Sequence, residues 1–420
     1  MNNPNRRNAL KSTAAIAACS LSNTSQAGPG EPPSSSSVLT ETPCLTDARH
    51  FYTVARGNPK PHTLTGEDLV RARMTPESWR LEIATDNQTD PPLITQKSSC
   101  EKPRLIQDRN AITYEQLLEM GKSKGVKFIK AIQCLNIPAP LGQGLWEGVP
   151  LRDVIGLCGR MKNVRRIYYW GFHNNDPKQI FQSSLSYSQV FETSPGDLPV
   201  FLAYRLNGKP ITPLRGGPVR VIVPWAYGFK SIKWLHRLVL TNDPRANDTY
   251  ATQNNDPDSP LKTAAYLSRD NQKSFDPGEA IHFSGLVISG ISGLKTVETL
   301  VRKRIQGEPP LGPDADEILN GKWVAAMVQQ APDNWKAILP VGVSPGDLLG
   351  FDRDSGKPAS WPLRFGMTGW QATVKEKLEP GHYEFRVRAV DHNGYAQPDP
   401  RPLPKSGRNE IPVFRFTVAG

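Results

Sequence analysis

The sequence predicts an α+β region followed by an all-β sandwich. Two textures carry that expectation. Up to about residue 242, short strand-like runs alternate with short amphipathic helices, and beyond about residue 275 only strand segments recur. The 34 Gly and 39 Pro among 420 residues fit both, since these residues punctuate β structure and end helices.

In chain order, "SWRLEI" (Ser78 to Ile83) predicts a strand, and "ITYEQLLEM" (Ile112 to Met120) predicts a strand end passing into a helix. "VKFIKAIQCL" (Val126 to Leu135) is strand-like, whereas "LWEGVPLRDVIGLCG" (Leu145 to Gly159) predicts a turn followed by a helix. "RRIYYWGF" and "LPVFLAYRLNG" predict two more strands. The stretch from Gly216 to Thr241 predicts a strand, a turn carrying Lys230 and Lys233, and a second strand. Residues 243–275 are polar, rich in Asn and Asp, and predict a joint. Beyond it, "AIHFSGLVISG", "KTVETLVRKR", "WVAAMV", "GWQATVKEKL", "GHYEFRVRAVD" and "PVFRFTVAG" are strand segments of similar spacing, which suggests an immunoglobulin-like sandwich. Strict alternation from Tyr383 to Val390 predicts one buried face and one basic, solvated face. The "VRKR" run from Val301 to Arg304 predicts another solvated face. The expected division is 1–40, 41–258 and 259–420.

Bulk properties narrow the function. A net charge of +11 favours anionic partners. The basic residues are scattered, with no zinc-finger spacing, aromatic-basic signature or basic helix, so nucleic acid is not expected. Small anions or an acidic protein fit better. No stretch approaches the roughly 20 apolar residues of a membrane helix.

At the N-terminus, Arg6 and Arg7 precede a short, weakly apolar segment, as in a twin-arginine export address. That route would deliver an already folded protein to the periplasm or cell envelope. "IAAC" (Ile16 to Cys19) resembles a lipobox, which would make Cys19 a lipidated N-terminus. Residues 20–40, rich in Ser, Gly and Pro, predict a disordered tether.

The five cysteines, at 19, 44, 100, 134 and 158, form neither C-x-x-C nor C-x-x-C-H, so a thioredoxin-type site and c-type haem attachment are not supported. By composition alone a strand cysteine such as Cys134 reads as a buried apolar residue. Four ordered stretches reverse that reading: "IQCLN", "GLWEGVPLRDVI", "LAYRLNGKPITPLRGGPVRVIVPWAYGFKSIKW" and "RVRAVDHNGYAQP". Together they resemble the sulfite oxidase family of molybdenum-pterin oxidoreductases over roughly residues 50–415.

The resemblance implies a molybdopterin-binding domain followed by an immunoglobulin-like dimerisation domain, hence a homodimer. It makes Cys134 the single protein thiolate on molybdenum, which suits a soft metal already held by pterin sulfurs. It implies cofactor contacts from Asn58, Arg215, Arg220, Lys230, Ser231 and Lys233, the last four framing an anion cradle for the pterin phosphate. The nucleotide form of the pterin is left open. Arg56 is implied to bind a substrate oxyanion. The implied reaction is oxygen-atom transfer on a sulfite-like or related sulfur substrate, with electrons passed to a separate carrier such as a cytochrome.

This chain also departs from the family. Leu135, Asn136, Ile137 and Pro138 follow the ligand, which predicts an apolar wall. Phe181 stands where a substrate-side tyrosine is expected, and Tyr168, Tyr169 or Tyr187 would have to supply the hydroxyl. His173 and His392 read as turn histidines. Two alternatives stay open: a sulfoxide reductase of the same family, and a non-catalytic binding protein on the same scaffold.

Overall fold

The computed structural model describes residues 42–54, 60–85, 96–172, 181–194, 196–246, 248, 256–305, 307–309, 311–398 and 409–420. The expected leader, with Arg6, Arg7 and Cys19, lies outside the described residues, as do Arg56, Asn58 and His173.

Helix α1 (Gly66–Arg71) precedes strand β1 (Arg80–Thr85), the short β2 (Ser99–Cys100) and β3 (Ile112–Thr113), and helix α2 (Tyr114–Lys124). α2 begins where it does because Thr113 and Gln116 cap each other reciprocally, satisfying two N–H groups that the first turn leaves free. Then come β4 (Val126–Ile132), β5 (Gly142–Pro150), α3 (Leu151–Gly156), β6 (Met161–Lys162), β7 (Arg166–Gly171), β8 (Gln182–Ser186) and α4 (Tyr187–Phe191). β9 (Phe201–Leu206), β10 (Lys209–Pro210), β11 (Arg220–Ile222) and β12 (Leu235–Thr241) complete this part. The "LWEG" segment, expected as a turn, lies inside β5, with a bulge between Glu147 and Gly148. A Cβ at Gly148 would stand 2.0 Å from the Leu202 carbonyl oxygen, so glycine is what allows β9 to pair there.

Two sheets result. One has the order β3-β1-β12-β7-β8, with β1 and β12 parallel, and the other the order β10-β9-β5-β4, with β11 also paired to β9. Trp79, Leu81, Val154, Tyr169, Leu202, Val221 and Leu238 belong to the core they share.

The all-β part contains β13 (Ala264–Leu267), β14 (Ser274–Phe275), β15 (His282–Ile288), β16 (Thr296–Lys303), β17 (Val324–Ala325), β18 (Met327–Val328), β19 (Met367–Thr373), β20 (Gly381–Val390) and β21 (Val413–Val418). Its sheets, β13-β15-β19-β18 and β14-β21-β20-β16-β17, enclose an aromatic core in which Phe283 stacks on Phe385 at 3.9 Å between ring centres. "WVAAMV" crosses between them, because β17 pairs with β16 and β18 with β19. The fold is α+β with a following sandwich, as the sequence predicts.

Three expectations need correction. The polar joint is narrower than residues 243–275, since β13 lies within it and buries Ala264, Ala265 and Tyr266. The basic face of β20 is not solvated. Glu384 and Arg386 are buried, and Arg302, Arg304 and Arg386 all ion-pair with Glu384. In the "VRKR" run, Arg302 and Arg304 therefore face a buried carboxylate, while Lys303 is exposed.

Candidate functional site

β4 ends at Ile132, two residues before Cys134. Gln133 then folds the chain back: its Nε2 donates to the carbonyls of Cys134 (3.1 Å) and Ile137 (2.6 Å), while its own carbonyl accepts from Gly228 N (2.7 Å). This tight turn turns the half-buried Cys134 towards a cavity of about 100 Å³. Phe51, Tyr52, Leu135, Leu141, Trp146 and Phe181 supply its apolar walls. Of the stretch expected to form an apolar wall after the ligand position, Leu135 and the polar Asn136 line the cavity while Ile137 and Pro138 do not, and Phe181 does face it.

The cavity lining is also basic. Arg215, Arg220, Ser231 and Lys233 all belong to it, together with the backbone turn from Gly228. Arg220 donates through its two terminal nitrogens to the Arg215 carbonyl and to the Ser231 carbonyl, both at 2.8 Å, and lies 5.2 Å from the Trp146 ring centre. Burial, and then Arg215, pulls its pKa down to about 9. Arg215 donates to the Phe51 carbonyl at 2.8 Å and is likewise lowered by burial. The Nε atoms of both arginines are buried without a hydrogen-bond partner. Lys233 Nζ lies 3.5 Å from the carbonyls of Val54 and Leu214. Ser231 Oγ accepts from Val223 N, which fixes the turn against β11. Beside this cluster, burial first and Lys233 next lower the pKa of His62, so the ring stays neutral near pH 7.

Two backbone details make the wall possible. Gly216 has φ +94°, and a Cβ there would come within 2.5 Å of Lys233 Cγ, so glycine lets the lysine stem cross. Trp234 adopts φ +52°, uncommon for a bulky residue, and its indole donates to the Pro213 carbonyl at 2.7 Å.

Lys230 does not join this wall. Its ammonium is wholly buried, pairs with Asp248 at 2.8 Å and donates to the Ser184 carbonyl at 2.8 Å. Burial lowers its pKa while Asp248 raises it again. Of the residues expected to frame a cradle, Arg220, Ser231 and Lys233 line the cavity together with Arg215, and Lys230 does not. The three tyrosines considered as substitutes at Phe181 are also elsewhere: Tyr168 donates to the Arg245 carbonyl, Tyr169 to the Lys230 carbonyl, and Tyr187 stacks on Phe191. The tyrosine that does line the cavity is Tyr52, which sequence reasoning missed. Its neighbour Phe51 packs on Arg215 at 5.8 Å, and nothing in the local pattern announces that contact. Lys130 was missed as well: it is fully buried under the cavity strand, and burial pulls its pKa down to about 7.

No carboxylate among the described residues lines the cavity. Among the described residues, no group of three His, Cys, Asp or Glu side chains could hold a metal ion. A single thiol facing buried, partly unpaired guanidinium groups suits an anionic group that brings its other metal ligands with it. The residues present fit a molybdenum-pterin cofactor.

Residues 68–249 match the family described as oxidoreductase molybdopterin binding domain. The nitrate reductase [NADPH] of Fusarium oxysporum is 30% identical over 110 residues, 26% of this chain. The nitrate reductase [NADH] of Spinacia oleracea is 31% identical over 112 residues, again 26% of this chain. Each match spans 12% of the relative's length. Among solved structures, the sulfane dehydrogenase SoxCD from Paracoccus pantotrophus aligns with 93% of this chain and 93% of its own, at a TM-score of 0.52 and 16% identity, which is a likeness of fold.

Proposed function

We propose that this chain, whose residues 68–249 match the oxidoreductase molybdopterin binding domain, is a sulfite-oxidase-type oxidoreductase that oxidises an electron-rich sulfur substrate and passes the electrons to a separate carrier. The observation that supports this most is the placing of Cys134 and three cations, Arg215, Arg220 and Lys233, on one cavity with no carboxylate among the described residues. When bound, the molybdenum-pterin supplies the oxygen-atom transfer and the two-electron redox capacity. Cys134 would give the metal its one protein thiolate. Arg215, Arg220, Ser231 and Lys233 would hold the anionic end of the cofactor. Fixed guanidinium groups in a low-dielectric wall offset negative charge without reorganising. Phe51, Leu135 and Phe181 keep water from the thiolate side.

The same walls bear on the substrate. Phe181 has no hydroxyl to donate, and losing one hydrogen bond to a charged group costs about 1.5–3 kcal/mol. An apolar side also favours a substrate carrying a carbon or sulfur substituent over bare sulfite. A sulfur substrate and an electron-accepting partner agree with the name of the sulfane dehydrogenase of similar fold.

The test begins with metal and pterin analysis of purified protein, for which about one molybdenum per chain is expected. Cys134→Ser should lose the metal while keeping its melting temperature. Assays in both directions, with artificial acceptors and donors, then separate oxidation of sulfite or organosulfur compounds from sulfoxide reduction. A metal-free, inactive protein would reject the reading and favour the binding-protein alternative. The same proposal includes export by the twin-arginine route. Replacing Arg6 and Arg7 with lysine should strand the precursor in the cytoplasm, and normal export of that variant would reject it. It also includes a homodimer, which sedimentation would refute by finding a monomer.

A further inference from the structure

Cys100 and Cys158 lie apart from the cavity, and neither is used by the proposed reaction. β2 and β6 pair antiparallel with Cys100 opposite Met161, and Lys102 N donates to the Cys158 carbonyl at 2.9 Å. Glu101 N donates to the Arg160 carbonyl at 3.1 Å, so 100–102 runs against 158–161. The two thiols lie close enough for each to shift the other's pKa. Cys158 is fully buried at the end of α3, and half-buried Cys100 packs against the same core cluster. One thiol is reachable from solvent and the other waits behind it.

We propose that Cys100 and Cys158 are a modification site: they are oxidised to an intramolecular disulfide that ties the segment before β3 to the C-terminal end of α3. The oxidant is a disulfide of the surrounding medium, such as glutathione disulfide. Cys100, as thiolate, attacks one sulfur of that disulfide and expels one glutathione thiolate. Cys158 gives up its proton and attacks the Cys100 sulfur, expelling the second. Two electrons pass from the protein thiols to glutathione, and the two protons leave with them as two glutathione thiols. Burial pushes the Cys158 thiol up to about 12, so the second step is slow near neutral pH and quickens as pH rises. Bridging residues so far apart in sequence restricts the unfolded chain more than the folded one.

The test equilibrates the full chain with glutathione disulfide, denatures it without reductant and alkylates the free thiols. Cys100 and Cys158 should lose their label while Cys44 keeps it. Digestion should yield the two peptides joined and lighter by two hydrogens. The oxidised protein should melt several degrees higher than the reduced protein, and Cys100→Ser should abolish that difference. Full labelling of both cysteines would overturn the proposal, and so would a link from either to a different cysteine.

Discussion

Three lysines near the cavity occupy three environments that their sequence context does not distinguish. Lys233 lines the wall, Lys230 is paired with Asp248, and Lys130 is buried on β4 with the Ala226 carbonyl at 3.5 Å and the Phe365 ring centre at 6.0 Å. Lys233→Ala should release pterin on gel filtration and change the melting temperature little. Lys230→Ala leaves Asp248 buried without its cation and should cost about 3–5 kcal/mol in a denaturant melt. Equal stability losses in the two variants would refute this division of roles. "YGFKSIK" made both lysines legible as one basic turn, but a three-residue offset in an irregular turn does not say which one faces inward. Lys130 offers a pH test. Its folded pKa is depressed to about 7, against about 10.4 for an ordinary lysine, so the unfolded chain holds a proton that the folded one lacks. Stability of the cofactor-free protein should therefore rise between pH 7 and 9, by up to about 1.4 kcal/mol per unit from this group. Urea melts of Lys130→Met should show a flatter pH dependence. Parallel slopes for variant and wild type would mean that Lys130 keeps its charge.

At the scale of elements, β20 shows what alternation reports and what it leaves out. The period of two identifies the strand and its apolar face correctly, with Tyr383, Phe385, Val387 and Ala389 in the sandwich core. It leaves open whether anything covers the other face. Here the chain after β16 does, through Glu308 paired with Arg302 at 2.7 Å and the Leu311 carbonyl accepting from Arg386 at 2.9 Å. That covering segment has no periodicity of its own, so its position was not readable in advance. Among the described residues Glu384 is the carboxylate paired with Arg386, so Glu384→Gln would leave a buried guanidinium uncompensated. A loss of about 3–5 kcal/mol is expected, with part of it recovered in Glu384→Gln/Arg386→Met. A Glu384→Gln variant as stable as the parent would show that the arginines find other partners. The site elements were more legible than this face because their chemistry is local: Cys134, Arg220 and Lys233 sit within named motifs. Tyr52 and Phe51 were not, since only tertiary packing brings Phe51 to Arg215 and Tyr52 to the cavity.

For the whole molecule, the decisive feature is that β4 is the outer strand of its sheet. An exposed edge strand invites mispairing, and proteins commonly cover one. Here residues from the C-terminal part provide the cover: Leu349 N donates to the Lys127 carbonyl at 2.8 Å, and Ala131 N donates to the Phe365 carbonyl at 2.9 Å. The Gln143 side chain on β5 extends the seam, donating to the Met367 carbonyl at 3.0 Å and accepting from Met367 N. Ile129 and Leu145 bury their side chains against Trp335, Leu339, Leu348, Phe351 and Leu363. The strand leading to Cys134 is thus held on one edge by β5 and on the other by residues more than 200 positions later. Cutting the chain after residue 258 would strip that edge and expose the Ile129 and Leu145 side chains, each worth about 1.5–3 kcal/mol of burial. Residues 41–258 expressed alone should therefore aggregate or melt far below the full chain and fail to retain pterin. A soluble 41–258 fragment that melts cooperatively and holds the cofactor would prove the two parts independent. Failure of the fragment, with recovery when residues 259–420 are supplied as a separate chain, would mean that the sandwich completes the sheet that carries Cys134.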